Sequence, residues 1–282
     1  KINIYIFYKG MTNTLFNKNE LNKFTKIYSS LSSDDEFEIM FGGYTKSNSL
    51  NMKQFLDILK TLKLFADENK FEINHTETLD ISYNYDNKNF HTYRISIDGT
   101  ENINKLMSIL HNRQNHIIFS VLASKLLSNE NKSLSIINKK KDFDSTYNLD
   151  DYDIRIRLAK EEKVEKKEIA DLIKLDNVSK IAILFRMKSR VSIVLESNSE
   201  VELALDITAV KKSHDINKIQ YTPYGYELEI DFNKKKSLTA KKEKEYMEKI
   251  LYYIEYTKKV IEQSNVIVSN SEKEDVMKLY KK

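Results

Sequence analysis

Two short acidic stretches, far apart in the chain, hold the residue types most able to do chemistry. Asp34-Asp35-Glu36-Phe37-Glu38-Ile39-Met40-Phe41 and Tyr226-Glu227-Leu228-Glu229-Ile230-Asp231-Phe232 each alternate carboxylates with large apolar residues. A strand repeats its side-chain direction at every second residue, so Glu36 and Glu38 share one face, as do Glu227 and Glu229. Four carboxylates brought together repel one another unless a cation sits among them. Hard oxygen donors of this kind suit Mg²⁺ or Mn²⁺. The spacing predicts a metal site built on a sheet, and Asp231 shares the Glu227 face.

Other stretches alternate with the opposite charge. Arginines alternate with aliphatics in Ile154-Arg155-Ile156-Arg157-Leu158, and Phe185-Arg186-Met187-Lys188-Ser189-Arg190-Val191 puts three cations on one face. Arg94 stands opposite Tyr93 and Ile95, and Asp206 shares a face with Thr208. Any one of these strands reads most simply as the wet face of an antiparallel sheet, its charges paired across strands. Taken together, the charges sort by strand, whereas a solvated face interleaves the signs. Closed into a barrel, sorted strands set a cation-binding wall against a polyanion-binding wall, an arrangement that fits phosphoryl transfer.

The elements that must position these residues follow from periodicity. Helices are expected over 18–32, 49–66, 101–127 (in one or two pieces), 237–263 and 271–281, with a short one at 165–174. Strands are expected at 71–85 and 90–98 around the turn Tyr85-Asp86-Asn87-Lys88, then at 134–138, 153–159, 201–211 and 226–232. Residues 181–195 read as one long strand or a tight pair. The cluster Lys139–Lys141 reads as a solvated loop, and Arg190 as a strand-end cation that pairs with Glu196 or another acid. Arg155 reads as a surface cation as readily as an interior one.

Composition bounds the rest. The chain has 282 residues, 40% hydrophobic and 31% charged, with Lys plus Arg (46) close to Asp plus Glu (42). A net charge of +4 is too small for non-specific nucleic-acid binding by bulk field. The absence of cysteine excludes disulfides, thiolate metal sites and cysteine nucleophiles. With 5 Gly and 1 Pro there is no Gly-rich nucleotide loop, and no Lys-x-Asp-Gly nucleophile motif is present. His75, His91, His111, His116 and His214 show no ligand spacing. No apolar run reaches about 18 residues, the length of a membrane span, and no signal peptide is visible.

At these residues the chain resembles the triphosphate tunnel metalloenzymes, and among them the RNA 5′-triphosphatase domains of mRNA capping enzymes from giant DNA viruses of the mimivirus type. Glu36-Phe37-Glu38 and Glu227-Leu228-Glu229 resemble the family's two metal-binding Glu-x-Glu strands. Tyr93-Arg94-Ile95-Ser96 resembles its arginine strand, and Lys139 stands where a tunnel lysine is expected. Arg157-Leu158-Ala159-Lys160-Glu161-Glu162 resembles a strand with one basic and one acidic tunnel residue, and Phe185 to Arg190 the triple-basic strand. Leu205-Asp206-Ile207-Thr208 resembles the strand that supplies a further acid. Met40 stands where the bacterial-type branch expects a lysine, which points to the viral and fungal branch. Residues 101–150 match poorly and read as an insertion.

The resemblance implies an α+β fold, a closed antiparallel β-barrel (the triphosphate tunnel) with helices packed outside. It implies one domain over 1–282, whose segment 237–282 leads toward guanylyltransferase and methyltransferase domains on the same longer chain. The implied reaction removes the γ-phosphate from triphosphate-ended RNA, with free nucleoside triphosphates as further substrates. Glu36, Glu38, Glu227 and Glu229 would hold Mg²⁺ or Mn²⁺; Arg94, Arg157, Arg186, Lys188 and Arg190 would bind phosphate, with Lys139 and Arg155 in support. Glu161 and Asp206 remain equal choices for orienting the water. Work in the cytoplasm (a viral factory) or the virion is expected. The alternatives are a nucleoside triphosphatase or polyphosphatase on the same barrel, and a non-catalytic module binding RNA or protein.

Overall fold

The strands carry apolar residues on one face and charged ones on the other, and the fold sends the charged face inward. The computed structural model describes residues 15–33, 35–42, 50–84, 91–113, 115–128, 133–165, 167, 168, 170 and 182–279. Eight strands form one closed antiparallel barrel: β1 (Asp35–Phe41), β2 (Glu72–Asn84), β3 (His91–Asp98), β4 (Leu134–Leu149), β5 (Ile154–Lys163), β6 (Ala182–Ser197), β7 (Val201–Ser213) and β8 (Gly225–Lys234). Their order around the wall is β1-β5-β4-β3-β2-β6-β7-β8, and β8 returns to pair with β1. Among the described residues, closure leaves no unpaired edge strand.

Because the interior is polar, the apolar core lies between the barrel's outer face and a layer of helices. The described helices are α1 (Lys18–Ser29), α2 (Met52–Asn69), α3 (Thr100–Leu110), α4 (Asn115–Ser128), α5 (Ala240–Glu262) and α6 (Asn270–Leu279). Phe37, Ile39 and Phe41 of β1 alternate with its glutamates and are fully buried outside the barrel. Phe24 and Tyr28 of α1 meet the Phe37 ring edge-on, with centroids 5.9 and 6.0 Å apart. This cluster continues through Leu62 of α2, Ile250 and Ile254 of α5, and Ile230 and Phe232 of β8. A second cluster packs α3 and α4 on Leu79, Ile81, Ile95 and Phe185 from β2, β3 and β6. Burying each such side chain stabilises the fold by about 1.5–3 kcal/mol.

Helix boundaries follow local capping. Asn17 and Glu20 make a reciprocal box at the start of α1, as do Asn51 and Gln54 at α2. Lys70 and Gln263 end α2 and α5 in the left-handed region, at φ 57° and 51°.

Several expectations change. The strand at 134–138 runs on to Leu149, so Lys139–Lys141 is barrel wall, not loop. Residues 182–197 make one strand, the first of the two forms expected there. Of the segment 101–150, residues 134–149 are a stave of the barrel between β3 and β5. The turn at 85–88 and most of the helix expected at 165–174 lie outside the described residues. Among the described residues, no helix is long and apolar enough to cross a membrane.

Candidate active site

The register of the ladders decides which side chains meet. Across β1 and β8, Glu38 stands opposite Asp231 and Met40 opposite Glu229. The two Glu-x-Glu pairs are therefore offset along neighbouring strands, and Asp231 completes the acidic wall. Across β1 and β5, Glu38 faces Arg157. On the opposite side, β6 presents Arg186, Lys188 and Arg190, with Arg94 from β3 nearby. These groups line a tunnel of about 610 Å³.

Ion pairs tie the walls together. The Lys139 ammonium donates to Glu36, to Glu38 (3.0 Å) and to Glu161 (3.1 Å). Arg157 pairs with Glu38, and Arg94 donates to both oxygens of Glu161 at 3.1 and 3.3 Å. Arg186 donates to both oxygens of Glu227 at 2.8 and 2.7 Å, and Lys212 adds a third contact at 2.7 Å. Lys188 pairs with Asp80 at 2.5 Å, and Arg190 with Asp206 at 2.7 Å. Asp80 also accepts a hydrogen bond from Ser96 at 2.8 Å.

Glu229 and Asp231 are treated differently. No ion pair engages either among the described residues, and one Asp231 carboxylate oxygen is buried without a hydrogen bond. Burial, then repulsion from neighbouring carboxylates, raises both above the usual carboxylate range. Burial and Glu38 likewise raise Glu36. Glu38 moves the other way: burial would raise it, but Lys139 and Arg157 outweigh that and hold it down. The acidic wall therefore holds more carboxyls than its cations keep ionised, and burial pushes Glu36, Glu229 and Asp231 toward the protonated form.

That imbalance bears on a bound metal. An all-oxygen donor set with an unsatisfied carboxylate oxygen has the chemistry that a hard divalent cation takes. The donors are not gathered, however: among the described residues no three acidic or histidine side chains form a ligand cluster. Lys139 bridges Glu36 and Glu38, and Glu227 is engaged by Arg186 and Lys212. The residues fit a cation in kind, with Glu229 and Asp231 nearest to free, and with Lys139 and Arg157 in competition for Glu36 and Glu38.

The remaining sequence candidates fall as follows. Arg155 shares the interior parity of Arg157, but it stands opposite Met40 and donates to Asn148 at 3.1 Å, outside the tunnel lining. Arg190 lies within β6 and pairs with Asp206, while Glu196 goes to Lys249 of α5. Lys139 is buried. Sequence reasoning missed Asp80 and Lys212. Asp80 sits on a strand whose other inward residues are Thr76, Thr78 and Ser82, so a single charge gave no wall to recognise. Lys212 adjoins Lys211, and the doublet hides the alternation.

No protein-family model matches the chain. It is 27% identical over 227 residues to a probable mRNA-capping enzyme of Acanthamoeba polyphaga mimivirus, a match covering 77% of this chain and 17% of that protein. The fold is similar to the RNA triphosphatase domain of a trifunctional mimivirus mRNA capping enzyme, with TM-score 0.62 and 22% identity over 88% of this chain and 99% of that one. A triclinic structure of mimivirus capping enzyme triphosphatase gives TM-score 0.62 and 24% identity over 87% of this chain and 100% of that one. The shared feature is the barrel fold, and the chain spans 17% of the curated relative's length.

Proposed function

We propose that this chain is a metal-dependent RNA 5′-triphosphatase that cleaves the bond between the β- and γ-phosphates of triphosphate-ended RNA, the first step of cap formation. One observation carries the reading: a closed barrel sets Glu38, Glu229 and Asp231 against Arg186, Lys188, Arg190 and Arg94 across a tunnel. The mimivirus proteins that share the fold or part of the sequence support the substrate class. The curated relative's extra length supports guanylyltransferase and methyltransferase domains on a longer chain.

In this reading β6 is the phosphate-binding strand. An incoming triphosphate takes the place of Glu227 on Arg186, of Asp80 on Lys188 and of Asp206 on Arg190. Arg94 and Arg157 approach from other strands. These groups, fixed by the ladder, stabilise the charge that spreads over the transferred phosphoryl in the transition state. Glu36, Glu38, Glu229 and Asp231 would hold Mg²⁺ or Mn²⁺, which would supply Lewis-acid withdrawal of charge from the γ-phosphate. Between the two candidates for orienting water, Asp206 is favoured, because one of its carboxylate oxygens has no partner. Glu161 is held by both Arg94 and Lys139.

The test is phosphate release from triphosphate-ended RNA, ATP and tripolyphosphate, each with and without Mg²⁺ or Mn²⁺. The expected result is metal-dependent release with RNA preferred, and a loss of about 100-fold or more in Glu38→Gln. Equal rates on all three substrates would move the reading to a general polyphosphate hydrolase. No release from any of them would leave a binding module.

A further inference from the structure

At one end of the tunnel the wall rises into the connection between β7 and β8, and that connection is built as a rigid, exposed aromatic rim. Ile216 and Ile219 anchor it in the cluster beneath α3 and α4. The Asn112 amide donates to Asn217 Oδ1 at 3.0 Å, and Thr222 Oγ1 donates to the Ile219 carbonyl at 2.8 Å. His214 Nδ1 lies 2.8 Å from the Ile183 carbonyl. On this fixed base Tyr221 is 86% and Tyr224 55% exposed. Neither ring belongs to either apolar cluster, and the side chain laid over Tyr224 is a lysine.

The surroundings are basic, and the connection starts beside the tunnel, whose lining includes Lys212 and His214. Lys211 and Lys212 are consecutive on β7 and point to opposite sides of the wall. Lys212 lines the tunnel and reaches Glu227. Lys211 lies outside, its ammonium 4.7 Å from the Tyr224 ring centroid. Lys218 is 77% exposed, with Asp215 at 3.7 Å as its loose partner. Aromatic faces beside ammonium groups are the means by which single-stranded nucleic acid is held without sequence preference, bases stacking on rings and phosphates meeting cations.

We propose that Tyr221 and Tyr224, with Lys211 and Lys218, form a stacking platform for the first unpaired nucleotides of an RNA whose triphosphate occupies the tunnel. This rests on the triphosphatase reading and adds what discriminates RNA from a free triphosphate. Substrates without a chain of bases gain nothing from the rim.

The experiment compares the full chain with Tyr221→Ala/Tyr224→Ala and Tyr221→Phe/Tyr224→Phe. Phosphate release is measured from a triphosphate-ended single-stranded RNA of about ten nucleotides, a length set by single-strand site sizes, and from tripolyphosphate. The alanine pair is expected to raise KM for RNA by about tenfold or more, with kcat held and kcat/KM for tripolyphosphate unchanged. The phenylalanine pair, which still stacks, is expected to match the unaltered protein. An RNA KM unmoved by the alanine pair overturns the platform, leaves the triphosphatase standing and assigns the rings to a protein partner. A parallel loss on tripolyphosphate also overturns it, because the tyrosines then support the barrel. Unaltered protein that cleaves neither substrate overturns the triphosphatase reading and the platform with it.

Discussion

Lys139 shows how much of the site depends on single groups. Its ammonium joins two carboxylates of β1 to one of β5, and it is buried. Replacing it by methionine strands buried carboxylates, a change that costs about 3 kcal/mol when one partner of a buried pair is lost. The cost depends on pH. Burial and Glu38 push Glu36 from 4.5 up to about 8. A carboxyl with a raised folded pKa contributes stability below its unfolded value, and that contribution is lost as pH rises through the folded one. Urea unfolding in chelator should therefore show the unaltered protein losing stability between about pH 4.5 and 8, with Lys139→Met penalised more at pH 8 than at pH 6. A flat profile for both proteins over that window would contradict the charge imbalance assigned to the acidic wall.

At the scale of elements, legibility tracked alternation. β1, β6 and β8 each hold a run in which charged and apolar residues alternate (Glu36 to Ile39, Phe185 to Lys188 and Glu227 to Phe232), so their inward faces could be read directly. β4 could not: Lys139-Lys140-Lys141 breaks the alternation, and only the ladders to β3 and β5 draw the segment into the wall. Closure of the barrel, the offset of Glu38 against Asp231 and the Asp80–Lys188 pair are long-range register facts. No local window of sequence contains them. α1, α2, α3 and α5 were legible because they cover the barrel with regular apolar stripes, and they give a separable prediction. Ile254 of α5 is fully buried against the outer wall. Ile254→Ala should lower unfolding stability by about 2–4 kcal/mol while kcat/KM per folded molecule on triphosphate-ended RNA stays near its original value. Asp231→Asn, which breaks no ion pair among the described residues, should do the reverse, losing activity with no fall in the urea midpoint. If the two substitutions acted alike, the division between a structural outer core and a chemical interior would fail.

The whole molecule is an inverted barrel, with hydrophobic stabilisation outside and charge within, and its stability should respond to ions accordingly. No ion pair engages Glu229 or Asp231 among the described residues, and the two repel one another in a buried setting that Lys188 and Arg190 offset only in part. A divalent cation that binds only the folded state adds RT ln(1 + [L]/Kd), about 2.7 kcal/mol at a concentration of one hundred times Kd. Mg²⁺ or Mn²⁺ should therefore raise Tm by several degrees, whereas KCl of equal ionic strength should not, because mobile salt screens buried charges poorly. Glu229→Gln removes both the repulsion and a donor. It should melt higher than the unaltered protein in chelator, yet gain less from the divalent cation. A variant destabilised in chelator, with the full metal-induced rise in Tm, would show that Glu229 is an ordinary structural carboxylate and would remove it from the metal site.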